Sequence, residues 1–138
     1  MRANSSADHL CKPDMNIANP VSDASFQAWE GAVSKLATNE RVYIKLSGCF
    51  LQISESLRKS DPDIISEALA PWFKVSMDTF GPSRVLFGSD WPICTLGVEG
   101  NSWTKWLEVV QCLIKTHQLT NDDASAIFSG AARSVYGL

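Results

Sequence analysis

The sequence is poor in several things, and each shortage excludes a class of protein. It has no apolar run near the roughly 18 residues that a membrane-spanning helix needs. Basic residues are not in excess: 12 Lys and Arg stand against 15 Asp and Glu, a formal net charge of −3. Neither the phosphates of nucleic acid nor an anionic membrane surface finds a complementary patch in that balance. Residues 1–8 are polar and lack the apolar stretch of a secretory signal, so the expected compartment is the cytoplasm. The four cysteines, Cys11, Cys49, Cys94 and Cys112, form no C-x-x-C pair, which argues against a zinc ribbon or a thioredoxin-type site. Histidine occurs twice, as His9 and His117.

What is present is ordinary globular composition: 138 residues, 45% hydrophobic and 20% charged. That length suffices for one domain with a core of its own. Residues 1–21 carry little periodicity, and residues 1–7 read as an irregular leader. Phe26, Trp29, Val33 and Leu36 then recur at helical spacing behind the capping candidates Ser22 and Asp23, predicting a helix over 22–38. Residues 41–47 alternate as a strand, with Val42, Ile44 and Leu46 on one face and Tyr43, Lys45 and Ser47 on the other. Asp61-Pro62 starts a helix running to Phe80, with a break expected at Pro71. Residues 84–90 form a second strand, with Leu86, Gly88 and Asp90 on one face. A helix over 103–117 follows, and Thr120 with Asp123 opens a last helix over 121–129. Strands alternating with helices define an α/β fold with a parallel sheet, whose chemistry collects at the carboxyl ends of the strands.

Asp90 is the strongest chemical candidate on residue type and place. A carboxylate at the end of an apolar strand accepts a proton from water, binds a metal, or caps a turn. His9 offers a metal ligand, a proton shuttle or a donor to a carbonyl oxygen, or else a structural contact. Lys45 and Ser47 face the same side of the sheet near its carboxyl end. Lys45 either orients an anionic or carbonyl group or forms an ion pair. Trp91, next to Asp90, joins Lys45 and Ser47 as a candidate for substrate contact. Cys11, Cys49 and Cys94 fall near strand ends, and small loop residues are the better reading of them than a thiol cluster. His117 ends a helix, where a cation suits the dipole.

The segments DHLCKPD at 8–14, VYIKLSG at 42–48, FGPSRVLFGSDWP at 80–92 and IFSGAARSVYGL at 127–138 resemble, in this order, the carboxyl-terminal part of the amidohydrolase-related family, in particular its lactonase-like branch. The resemblance implies the last part of a (β/α)8 TIM barrel, about strands six to eight, across residues 1–138. It implies hydrolysis of a sugar lactone or related cyclic ester, with Asp90 as the base that activates water and His9 facing the substrate. It also implies His9 and Asp90 as ligands if a divalent metal such as zinc is used, while some relatives of this branch need none. Three departures stand out. Cys11 replaces a glycine usual after DHL, Ala131 replaces an asparagine usual in the last motif, and no arginine follows Ser47-Gly48, which speaks against a pyrone-dicarboxylate substrate.

Such a barrel takes about 250 residues. The chain is therefore expected to be a truncated fragment of a hydrolase, or alternatively a non-catalytic remnant or binding module. Its barrel-side face should lack cover, leaving Tyr43, Leu86 and Phe87 without partners.

Overall fold

A computed structural model describes residues 3–138. Strand β1 (Ser5–Ala7) leads through a short helical turn (Asp8–Cys11) and a loop to helix α1 (Ala24–Ala37). Strand β2 (Val42–Leu46), helix α2 (Glu55–Arg58), helix α3 (Pro62–Phe80) and strand β3 (Val85–Phe87) follow. Helix α4 (Ser102–Thr116) precedes α5 (Asn121–Ser125), which continues through a π-helical turn (Ala126–Gly130) into α6 (Ala131–Tyr136). The three strands form one parallel sheet in the order β1-β2-β3, so β1 and β3 are its edges.

Local chemistry explains most boundaries. Asp23 accepts the backbone N–H groups of Ser25 and Phe26 and so caps α1. Thr120 and Asp123 exchange the reciprocal bonds of a capping box at α5. Asp61 stands at the N-cap of α3, yet its side chain makes no capping bond. The start there rests on Pro62 at the first turn.

The alternation read from β2 and β3 sorts their side chains as expected. Ile44, Leu46 and Val85 point into a core with Phe26, Trp29 and Val33 of α1, Ile65, Leu69, Trp72 and Phe73 of α3, and Trp106, Val109, Val110 and Leu113 of α4. Helices α1, α3 and α4 thus share one face of the sheet. On the opposite face Tyr43 and Leu86 pack under Ala131, Ala132 and Val135 of α6.

Several expectations need correction. Residues 5–7 are not part of an irregular leader: Ser5 pairs with Val42, Ser6 with Tyr43 and Ala7 with Ile44. A strand with weak intrinsic propensity is imposed there by its neighbour. Met1 and Arg2 of that leader lie outside the described residues. Pro71 does not break α3, which runs through it. The missing N–H costs one helical bond, and the burial of Leu69, Trp72 and Phe73 around it outweighs that loss. The last helical stretch does not stop at 129. The face expected to be bare is covered by α6, and Phe87 packs on the core side, 5.1 Å from Phe128 between ring centroids. Ala131, in place of an asparagine, is 1% exposed and extends that apolar cover.

Arg84 locks the elements together. Its guanidinium donates to the carbonyl oxygens of Ala37, Asn39 and Val42 and, on its own side, of Phe80 and Thr79, at 3.1–3.4 Å. The carboxyl ends of α1 and α3 and the start of β2 all have orphan carbonyls there, and a forked cation suits several at once.

Candidate active site

Parallel pairing brings the ends of all three strands to one edge. The residues following β1 carry Asp8 and His9, those of β2 carry Lys45 and Ser47, and those after β3 carry Gly88 and Asp90. These line one cavity of about 270 Å³ together with Leu86, Phe87, Ala132 and Tyr136. A larger hollow of about 440 Å³ lies elsewhere, between the loop at 15–20, α2 and α3. Glu67 is the one ionisable residue among its lining residues.

His9 is the hub. Its Nε2 lies 3.5 Å from Asp90 Oδ1, and its Nδ1 lies 2.9 Å from Ser47 Oγ. The Asp90 side chain is 12% exposed. Two glycines make room for this arrangement. A Cβ on Gly48, which sits at φ +67°, would fall 2.6 Å from His9 Nδ1, and one on Gly88 would fall 3.0 Å from Ser47 Cβ.

The segment bearing His9 is wound left-handed: His9, Leu10, Cys11 and Lys12 have φ of 54°, 51°, 61° and 52°. Each such residue costs about 1–2 kcal/mol relative to a right-handed turn. Anchors offset the cost. Leu10 is buried, its carbonyl accepts the Trp29 indole N–H at 2.7 Å, and the Lys12 N–H donates to the His9 carbonyl at 2.8 Å. The cysteine that replaces the usual glycine therefore stands where glycine is favoured. Cys11→Gly is expected to raise stability by about 1 kcal/mol, measured as a higher urea midpoint at unchanged slope. A lower midpoint would mean that the Cys11 side chain holds the turn by packing.

Asp90 also has positive φ, 60°, a conformation that aspartate tolerates better than most residues. Its strand end is tied to the core by Trp106, whose indole N–H donates to the Gly88 carbonyl at 2.9 Å. The two segments carrying His9 and Asp90 are thus each held by a tryptophan from a core helix.

The other candidates divide. Lys45 is paired with Asp8 at 2.9 Å, and its ammonium lies 5.7 Å from the centroid of the Tyr136 ring. The Asp8 carboxylate first, then the Tyr136 hydroxyl, hold the Lys45 amine above its ordinary value, so it stays charged. Trp91 is 74% exposed and is not among the residues lining the cavity. Cys49 is buried, and burial, with a smaller contribution from the Asp90 charge, pushes its thiol far up. Burial likewise raises the Cys11 thiol. Neither is poised as a thiolate. His117 makes a local bond, its Nδ1–H donating to the Leu113 carbonyl at 2.9 Å at the end of α4.

Asp8 and Tyr136 complete the cavity and were not among the residues singled out from the sequence. The register of β1 on β2 would have placed Asp8 beside Lys45, but β1 itself was not legible. No local signal places Tyr136, because its position depends on where α6 lies.

Two ligands of a tetrahedral zinc, each about 2.1 Å from the metal, lie about 3.4 Å apart, so the spacing of His9 Nε2 and Asp90 Oδ1 matches two corners of such a site. At least three protein ligands are the rule. Among the described residues no group of three His, Cys, Asp or Glu side chains converges. The residues present do not by themselves hold a metal.

The chain belongs to the amidohydrolase family: residues 7–138 match the model of that family. Among curated proteins it is similar to an L-rhamnono-gamma-lactonase of Scheffersomyces stipitis, 29% identical over 95% of this chain and 40% of the relative. It is also similar to an L-fucono-1,5-lactonase of Burkholderia ambifaria, 33% identical over 94% of this chain and 40% of the relative. The chain therefore spans about two fifths of the length of these relatives. Among solved structures it superposes on an amidohydrolase from Burkholderia multivorans with bound HEPES, with a TM-score of 0.82 and 26% identity, over 99% of this chain and 45% of that one. A second crystal form of that protein contains bound zinc. Among the described residues no helix is long and apolar enough to cross a membrane.

Proposed function

We propose that the chain is the carboxyl-terminal share, strands six to eight, of a (β/α)8 barrel that hydrolyses sugar lactones. The observation that carries this reading is the meeting of His9 and Asp90 in one cavity at the carboxyl edge of a parallel sheet, where barrel enzymes place their chemistry. The lactonase relatives supply the substrate class.

In this reading the Asp90 carboxylate takes a proton from water as the oxygen attacks the lactone carbonyl carbon. The ring C–O bond then breaks, and the proton passes to the departing alkoxide, giving a hydroxy acid. His9 faces the same reacting centre. The Lys45–Asp8 pair and Tyr136 line the same cavity.

The three described strands offer only part of a reaction cleft, so the chain alone is expected to turn over no lactone. The test is completion. Residues 7–138 replace the matching part of the Burkholderia ambifaria L-fucono-1,5-lactonase. Acid release from L-fucono-1,5-lactone and L-rhamnono-1,4-lactone is then followed by pH-stat. Turnover of either lactone is the expected result. A cooperatively folded hybrid inert toward both would overturn the proposal and favour a non-catalytic remnant.

A further inference from the structure

We infer that Ser47 is a positioning residue that fixes the tautomer of His9: its hydroxyl donates to Nδ1, so the proton of the neutral imidazole sits on Nε2 and faces Asp90. Ser47 is 3% exposed, and the hydrogen bond of its Oγ among the described residues is the one to His9 Nδ1 at 2.9 Å. A serine hydroxyl carries one proton and a neutral imidazole carries one ring proton. If His9 carried its proton on Nδ1, that N–H would donate to Oγ and leave the buried Ser47 O–H without an acceptor, at a cost in free energy. The same choice would turn the lone pair of Nε2 toward the Asp90 carboxylate 3.5 Å away, where both atoms only accept. With the proton on Nε2 both conflicts vanish.

The backbone is shaped for this contact. Gly48 at φ +67° leaves room for the imidazole ring, and Gly88, just after β3, leaves room beside Ser47. Ser47 therefore acts through His9. The consequence for chemistry rests on the reading proposed above. His9 presents an N–H to the cleft, suited to a carbonyl or alkoxide oxygen, and a metal could take Nε2 only by displacing that proton.

The tautomer can be read on the 138-residue chain without any turnover, so failure of the lactone assay leaves it standing. Long-range proton–nitrogen correlation spectra of the ¹⁵N-labelled chain, recorded at alkaline pH, report which ring nitrogen carries hydrogen. His117 is an internal reference of the opposite kind. Its Nδ1 faces the Leu113 carbonyl, which only accepts, so its proton sits on Nδ1. Opposite patterns for His9 and His117 are expected. In Ser47→Ala the Nδ1-protonated share of His9 should rise about fivefold, the loss of one ordinary hydrogen bond, while His117 is unchanged. Ser47→Thr should restore the original pattern. A wild-type His9 protonated on Nδ1 would overturn the inference. So would a Ser47→Ala chain that keeps both histidine patterns. If Ser47→Ala loses the His117 pattern, its fold is lost, and the wild-type and Ser47→Thr spectra decide.

Discussion

Asparagine at position 90 is expected to lower kcat of the lactone-hydrolysing hybrid by about 10²–10⁴-fold, the usual contribution of a general base. The substitution is well matched to the site. Asparagine keeps the size of the side chain and, like aspartate, tolerates the left-handed backbone at φ 60°. It also leaves the Asp90 carbonyl free to accept the Cys94 N–H at 2.9 Å. What it removes is the ability to take a proton from water. Its amide N–H₂ or carbonyl oxygen can still face His9, so the loss belongs to proton transfer more than to placement. Steady-state kinetics with a thermal melt on the same sample separate the two. A variant within about threefold of the parent rate would demote Asp90 to a structural role, since a general base contributes far more than that.

Trp106→Ala should destabilise the fold by about 3–5 kcal/mol, as for other large aromatic truncations in cores. Trp106 is 2% exposed and stands edge-on to Phe50, with ring centroids 5.5 Å apart. Its removal leaves a cavity between α4 and the segment following β2. It also strips the indole N–H from the Gly88 carbonyl, two residues before Asp90. The milder Trp106→Phe keeps much of the packing and loses only the donor, for about 1–3 kcal/mol. Urea unfolding of both variants checks the pair. Equal costs would mean that the hydrogen bond, not the packed ring, carries the contribution.

The sequence spoke clearly where local physics decides. The spacing of Phe26, Trp29 and Val33 and the capping box at Thr120 announced their helices. Period-two alternation correctly sorted Tyr43 and Leu86 from Ile44 and Val85. It also set Lys45 and Ser47 together on the other face of the first strand read from the sequence, and both line the cavity that holds Asp90. The failures came where distant contacts override local preference. Ser5-Ser6-Ala7 has nothing of a strand in composition and becomes one because β2 offers it an edge. Pro71 stays helical because its neighbours are buried on both sides. The left-handed turn at His9–Lys12 contains no glycine to betray it, and its anchors, Trp29 and the buried Leu10, come from tertiary packing. Asp8 and Tyr136 escaped notice for the same reason.

Arg84 bears on how long the folded state lasts. Its bonds to Phe80 and Thr79 bridge short stretches of chain, but those to Ala37, Asn39 and Val42 span 42–47 residues. The latter cannot form until α1, α3 and the start of β2 have already converged. Such late contacts are weak in the folding transition state and strong in the native state, so they act on the unfolding rate far more than on the folding rate. On that ground the guanidinium is expected to bear on the lifetime of the assembled sheet more than on the speed of its assembly.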